Sequence, residues 1–76
     1  MITGSQIRAG RALLNWSAQQ LADKSGVGVA TVRRMELAAS VPSSNAQTLS
    51  IVKNTFEKAG IEFIGSPNDR LGVRLR

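Results

Sequence analysis

Two adjacent arginines, Arg33 and Arg34, end the stretch VATVRR. A guanidinium presents a fixed fork of donors that matches the O6 and N7 acceptors of guanine and also binds phosphate oxygens. On a helical wheel centred on Val32, Ala30 and Arg34 lie on the opposite, outward side, where Ala30 leaves room for a thymine methyl group. Arg33 points further sideways, toward a phosphate or a flanking base. These residues predict contact with nucleic acid, against the alternative of a solvated helix surface.

The composition favours a polyanionic partner. The 76 residues include ten Lys and Arg against five Asp and Glu, a net charge of +5. Such a balance suits nucleic acid or an acidic membrane surface. The chain contains neither Cys nor His, which excludes zinc modules, thiol redox chemistry and histidine bases. No nucleophile–base pair or phosphate loop is present either, so we predict that the protein is not an enzyme and needs no cofactor or metal.

The chain length and the apolar pattern predict one small cytoplasmic domain. No apolar run approaches the ~20 residues of a membrane span, and the N-terminus lacks the layout of a signal peptide. We therefore expect no membrane partner. Every segment is assigned to the fold, so we also expect no separate effector domain.

Helix starts are marked by three signals of the form [ST]-x-x-Q, at Thr3/Gln6, Ser17/Gln20 and Ser44/Gln47. In this capping box the hydroxyl accepts from an N-terminal amide of the helix and the glutamine reaches back. The apolar spacing then predicts helices over 4–14, from 17 onward, over 29–37 and over 45–59. Gly26 supplies the turn between the second and third helices.

The tail changes to a period of two, in IEFI and GVRLR, around the turn-rich segment GSPNDRL. This pattern predicts a β-hairpin over 61–76 beside a helical domain over 1–60. Pairing Ile64 with Gly72 aligns the apolar and charged residues together, and it sets residues 63, 62 and 61 against 73, 74 and 75. Arg70, Arg74 and Arg76 either contact phosphates or discourage aggregation at the edge.

Two short helices joined by a glycine-containing turn form a helix-turn-helix, whose second helix can enter the DNA major groove. The run RALLNWSAQQLADKSGVGVATVRRME resembles the Xre, or Cro/C1-type, family of regulators, and in particular its short bacterial members. The resemblance covers roughly residues 5–59. The segments AGIEFI and GVRLR are similar to the ending of those short members.

The resemblance implies a mainly α, lambda-repressor-like domain of about four helices with a C-terminal β-hairpin. The candidate contacts to DNA bases are Val29, Ala30, Thr31, Arg33 and Arg34, with Thr31 near the groove wall. The resemblance further implies that Ser17 and the amide of Ala18 bind phosphate at a helix N-terminus. The further candidate phosphate contacts are Gln19, Ser40 and Ser43.

Glu36 falls on the inward half of its helix although it is charged, and a buried carboxylate requires a partner. The family pairs a first-helix arginine with this glutamate, and Arg11 and Glu36 match those positions. We interpret them as a structural ion pair and not as an acid or base. Trp16, directly before a helix cap, is expected to pack in the core rather than stack on a base.

These features predict a homodimeric transcriptional regulator that binds an inverted repeat in double-stranded DNA, and we favour a repressor over an activator. The candidate dimerisation residues are Ile61, Phe63, Val73 and Leu75, with the apolar face of the fourth helix as an alternative. Truncation before Ile61 is then expected to weaken dimerisation and operator binding together, and to leave the helices substantially folded if they carry the core. The alternative function is a protein-interaction module, such as an antitoxin or anti-activator, in which DNA binding is secondary.

Overall fold

The computed structural model describes residues 2–38, 46–66 and 69–76. These residues form four helices and one antiparallel hairpin, which confirms the predicted mainly α fold. The elements in chain order are α1 (Gly4–Leu14), α2 (Ala18–Ser25), α3 (Val29–Glu36), α4 (Ala46–Lys58), β1 (Ile61–Ser66) and β2 (Asp69–Leu75). The four predicted helices are all present, with ends within a residue or two of those expected.

The helix starts confirm two of the predicted capping boxes. The amide of Gln6 donates to Thr3 Oγ1 at 3.2 Å, and the amide of Thr3 donates to Gln6 Oε1 at 3.0 Å. Ser17 and Gln20 make the same reciprocal pair at 3.0 and 2.7 Å. Ser44, the cap residue of the third signal, lies outside the described residues.

The turn between α2 and α3 depends on Gly26. Its φ of 76° is in the left-handed region, and its amide donates to Ala22 O at 2.9 Å to close α2. A Cβ at Gly26 would meet nothing within 4 Å, so the backbone conformation rather than lack of space favours glycine there. The turn redirects the chain within three residues and sets α3 across α2.

The core lies between the helices and one face of the hairpin. Trp16 is half-buried and stacks on Phe56 with ring centroids 5.8 Å apart, in accord with the expected packing role. Lys24 covers Trp16 as well, with its Nζ 5.2 Å from the ring centroid. The buried apolar side chains are Ile2, Ile7, Leu21, Ala22, Val32, Met35, Leu49, Val52, Phe56 and Ile61.

The hairpin has the predicted register. Ile61, Glu62, Phe63 and Ile64 face residues 75, 74, 73 and 72 across the two strands. Glu62 and Arg74, which face each other across the strands, form an ion pair on the exposed face. One register therefore forms both the apolar and the charged cross-strand pairs, as the sequence pattern predicts.

The hairpin packs on its own helices, which limits how much of the predicted dimerisation surface a second subunit could reach. Ile61 is 0% exposed, and Phe63 and Val73 pack against the core of the same chain. The Ile61 side chain is therefore unavailable to a second subunit, and those of Phe63 and Val73 are largely committed to this core. Leu75, in contrast, is 47% exposed. Because Ile61 belongs to the core, truncation before this residue should destabilise the helices as well as remove the hairpin.

Gln6 joins the hairpin to α1. Its Nε2 donates to the carbonyl oxygens of Ile64 and Gly72, at 3.3 and 2.9 Å. These two residues lie opposite each other on β1 and β2. One buried amide therefore fixes both strands against the first helix while its oxygen completes the helix cap.

Candidate nucleic-acid interface

The third helix has one buried and one exposed face. Val32 and Met35 are each 1% exposed and anchor the helix in the core. Ala30, Arg33 and Arg34 are exposed, as the helical wheel predicts. The exposed face therefore combines one small residue with two guanidinium groups on a helix that the core holds in place.

The other two candidate base-contact residues are less accessible. Val29 is half-buried and packs against the core, and Thr31 is half-buried as well. Arg34 Nη2 lies 3.4 Å from Thr31 Oγ1, which is long for a hydrogen bond. The structure thus leaves Ala30, Arg33 and Arg34 as the residues best placed to meet a ligand.

Arg33 and Arg34 form no ion pair with a carboxylate in the part of the chain that the structure describes. Within the described ranges, the ion pairs are Arg11–Glu36 and Arg74–Glu62, and neither involves Arg33 or Arg34. A guanidinium without a carboxylate keeps its donors for an external acceptor, such as a phosphate or a guanine edge.

The N-terminus of α2 offers a second group of donors. The amide of Ser17 is occupied by Gln20, and the Ser17 hydroxyl oxygen accepts from the Gln20 amide. The amides of Ala18 and Gln19 are in the first turn, where a helix has no acceptor of its own. The Gln19 side chain donates to Asp23 at 2.9 Å, so its main-chain amide is the better candidate for an anion. Ser40 and Ser43 lie outside the described residues.

Arg11 and Glu36 form the buried ion pair that links α1 to the end of α3. Arg11 Nε and Nη2 donate to the two carboxylate oxygens of Glu36, each at 2.7 Å. Arg11 Nη1 also donates to Trp16 O at 3.0 Å. The hydrogen bonds to Glu36 raise the pKa of Arg11 above its usual value, against the opposing effect of partial burial. The guanidinium therefore stays charged, and both carboxylate oxygens of Glu36 accept hydrogen bonds from it.

Two further residues at the α1–α3 contact were not evident from the sequence. Arg8 donates to the main-chain oxygen of Glu36. Gly4 lies directly against the carbonyl groups at the end of α3. The spacing of Arg8 and Arg11, three residues apart, does place both on one side of α1. That signal indicates a shared face but not what the face contacts.

Within the parts of the chain that the structure describes, no three His, Cys, Asp or Glu residues cluster as metal ligands. No helix in those parts is long and apolar enough to cross a membrane. The family model described as helix-turn-helix matches residues 7–50, from within α1 to within α4. None of the curated proteins matches the chain.

Proposed function

Because the chain belongs to the Cro/C1-type helix-turn-helix family of DNA-binding regulators, we propose that it is a homodimeric, sequence-specific transcriptional repressor acting at an inverted-repeat operator. The observation that carries this proposal is the exposed face of α3. There, two arginines that form no ion pair among the described residues share the exposed face with Ala30, on a helix anchored by Val32 and Met35. Occupation of a promoter requires no further surface, which favours repression.

In this proposal Arg34 donates two hydrogen bonds to one guanine, and Ala30 allows α3 to approach the floor of the major groove. Arg33 contacts a flanking base or a phosphate. Val29 and Thr31 line the sides of the same contact. Since base edges carry the sequence information, Arg34 is the main determinant of specificity.

The amides of Ala18 and Gln19, with the hydroxyl of Ser17, bind a phosphate beside the groove. The helix dipole and the unsatisfied N–H groups both favour an anion at this position. Such a contact fixes the register of the protein on the duplex and is the same for every base sequence. It therefore adds affinity and salt dependence but no specificity.

A second subunit is needed because one short helix reads too few base pairs to define a site in a genome. Two-fold symmetry would place both α3 helices in major grooves about 10 bp apart, or a multiple of that distance. The apolar side chains that the hairpin leaves exposed are Ile64, Leu71 and Leu75, at 40%, 38% and 47%. With the free strand edges, they are the surface that we propose for the two-fold contact.

The test is selection of binding sites from random duplex DNA, followed by titration of the selected and a scrambled site. Arg34→Ala should lower affinity for the selected site by about 1 to 3 kcal/mol and relax discrimination at one base pair. Lys53→Ala on α4 removes the same charge outside the helix-turn-helix and is the matched control. An equal loss on both DNAs would make Arg34 a phosphate contact. Failure of the wild type to select any sequence would favour the protein-interaction module.

The dimer has a separate test by sedimentation. Leu75→Lys places a charge on the exposed end of the hairpin without removing a core residue. It should shift the protein toward monomer and weaken operator binding in parallel. A variant that remains dimeric would move the two-fold contact away from Leu75.

A further inference from the structure

We propose that the first two turns of α1, through Gly4 and Arg8, position the C-terminal end of α3 and so set DNA affinity without touching DNA. This inference rests on the proposed function of α3. It assigns a role to two residues that make no contribution to the exposed DNA-facing side. They act as positioning residues, in addition to the Arg11–Glu36 pair.

Gly4 permits an unusually close approach of two helix ends. A Cβ at this position would lie 2.6 Å from Met35 O and closer still to Ala38 O, with Glu36 O at 3.1 Å. These neighbours are main-chain atoms, which cannot rotate away as a flexible side chain can. Any side chain at residue 4 must therefore displace the end of α3 or the start of α1.

The contact also joins ends of opposite polarity. The N-terminus of a helix carries unsatisfied N–H groups and a partial positive charge, and the C-terminus carries unsatisfied carbonyls and a partial negative charge. In this fold the start of α1 faces the carbonyls at the end of α3. The arrangement stabilises one relative position of the two helices only while they remain in close contact.

Arg8 supplies the side-chain part of the same contact. Its Nη1 donates to Glu36 O, and its Nη2 donates to Ser5 Oγ at 3.1 Å, which orients the guanidinium. An arginine near a helix C-terminus commonly satisfies the last carbonyls of its own helix. Here the arginine comes from another helix. Glu36 is consequently bound at its main chain by Arg8 and at its carboxylate by Arg11.

Glu36 is two residues beyond Arg34, so its position determines where the recognition guanidinium points. A helix of eight residues is about 12 Å long. When its C-terminal end moves, the side chains near that end move by a similar distance. Recognition geometry tolerates errors of only about 0.5 Å. Loss of the α1 contact should therefore weaken reading of the operator more than general attraction to DNA.

The experiment compares Arg8→Ala and Gly4→Ala with the wild type, at a temperature where each is fully folded. Lys53→Ala is the charge-matched control for Arg8→Ala. Affinity for the selected operator, affinity for scrambled DNA and the slope of log K against log salt are measured. Both test variants should lose about 2- to 30-fold in operator affinity and less on scrambled DNA. The salt slope of Arg8→Ala should match that of Lys53→Ala, and the salt slope of Gly4→Ala should match that of the wild type.

Two results would overturn the proposal. A salt slope for Arg8→Ala shallower by about 0.9 than that of the wild type, with slope unchanged in Lys53→Ala, would show that Arg8 neutralises a phosphate. Operator affinity unchanged in both test variants would show that neither residue positions α3.

A measurement on the free protein keeps this inference separate from the proposed function. Amide chemical shifts of Leu37 and Ala38 should change in Arg8→Ala and Gly4→Ala, and those of Arg33 and Arg34 should follow. Lys53→Ala should leave all four unchanged. If the wild type binds no DNA, the proposed function fails, whereas the shifts still decide whether the α1 contact positions α3. Unchanged shifts at the end of α3 would contradict the positioning role by themselves.

Discussion

Removal of Arg11 tests the ion pair that joins the first helix to the end of the recognition helix. Glu36 is 6% exposed, and Arg11→Ala removes the donors that bind both of its carboxylate oxygens at 2.7 Å. Trp16 O loses its donor as well. Leaving a buried charge without a partner typically costs about 3 to 5 kcal/mol of stability.

The structure indicates a smaller loss of stability for Arg11→Ala than this general range. The Arg11 side chain is 23% exposed, so its removal admits water to the Glu36 carboxylate and reduces the penalty. We therefore expect Arg11→Ala to lower the free energy of unfolding by about 2 to 4 kcal/mol at pH 7.

Urea unfolding, followed by the fluorescence of Trp16, measures the free energy of unfolding of each variant. Trp16 is the single tryptophan of the chain. Arg74→Ala is the control, since it breaks an exposed pair with side chains 63% and 39% accessible and should cost no more than about 1 kcal/mol. Combining Arg11→Ala with Glu36→Gln should recover part of the loss. The reasoning is refuted if Arg11→Ala costs no more stability than Arg74→Ala.

Three further outcomes are expected. The logarithm of the DNA-binding constant should fall linearly with the logarithm of salt concentration, with a slope of about −0.9 per phosphate neutralised, and a flat titration would argue against DNA binding. Gln6→Leu should lower stability by about 1 to 3 kcal/mol and accelerate hydrogen exchange in the hairpin more than in α4, because two strand carbonyls lose a buried donor. Gly10→Ala should lower the melting temperature despite its better helix propensity, since the new Cβ would lie 2.9 Å from the buried Phe56 ring, and an unchanged melting temperature would show that the ring can move.

Local signals in the sequence were sufficient to predict the helices and the register of the two strands. The capping boxes at Thr3 and Ser17 involve partners three residues apart, and the left-handed turn at Gly26 needs no distant contact. The hairpin register follows from side-chain alternation on two strands joined by a short segment. The outward position of Arg33 and Arg34 follows from helical periodicity once Val32 and Met35 face the core.

Contacts between distant parts of the chain were decided only by the tertiary structure. Gln6 is 58 and 66 residues from the carbonyls that it binds, and Arg8 is 28 residues from Glu36 O. A main-chain carbonyl is common to every residue, so no residue type in the sequence marks it as an acceptor. The sequence also did not determine which face of the hairpin is buried. Alternation divides the side chains between two faces but does not show which face the helices cover. Packing of the hairpin on α1 and α4 determines the buried face and places Ile61 in the core of its own chain.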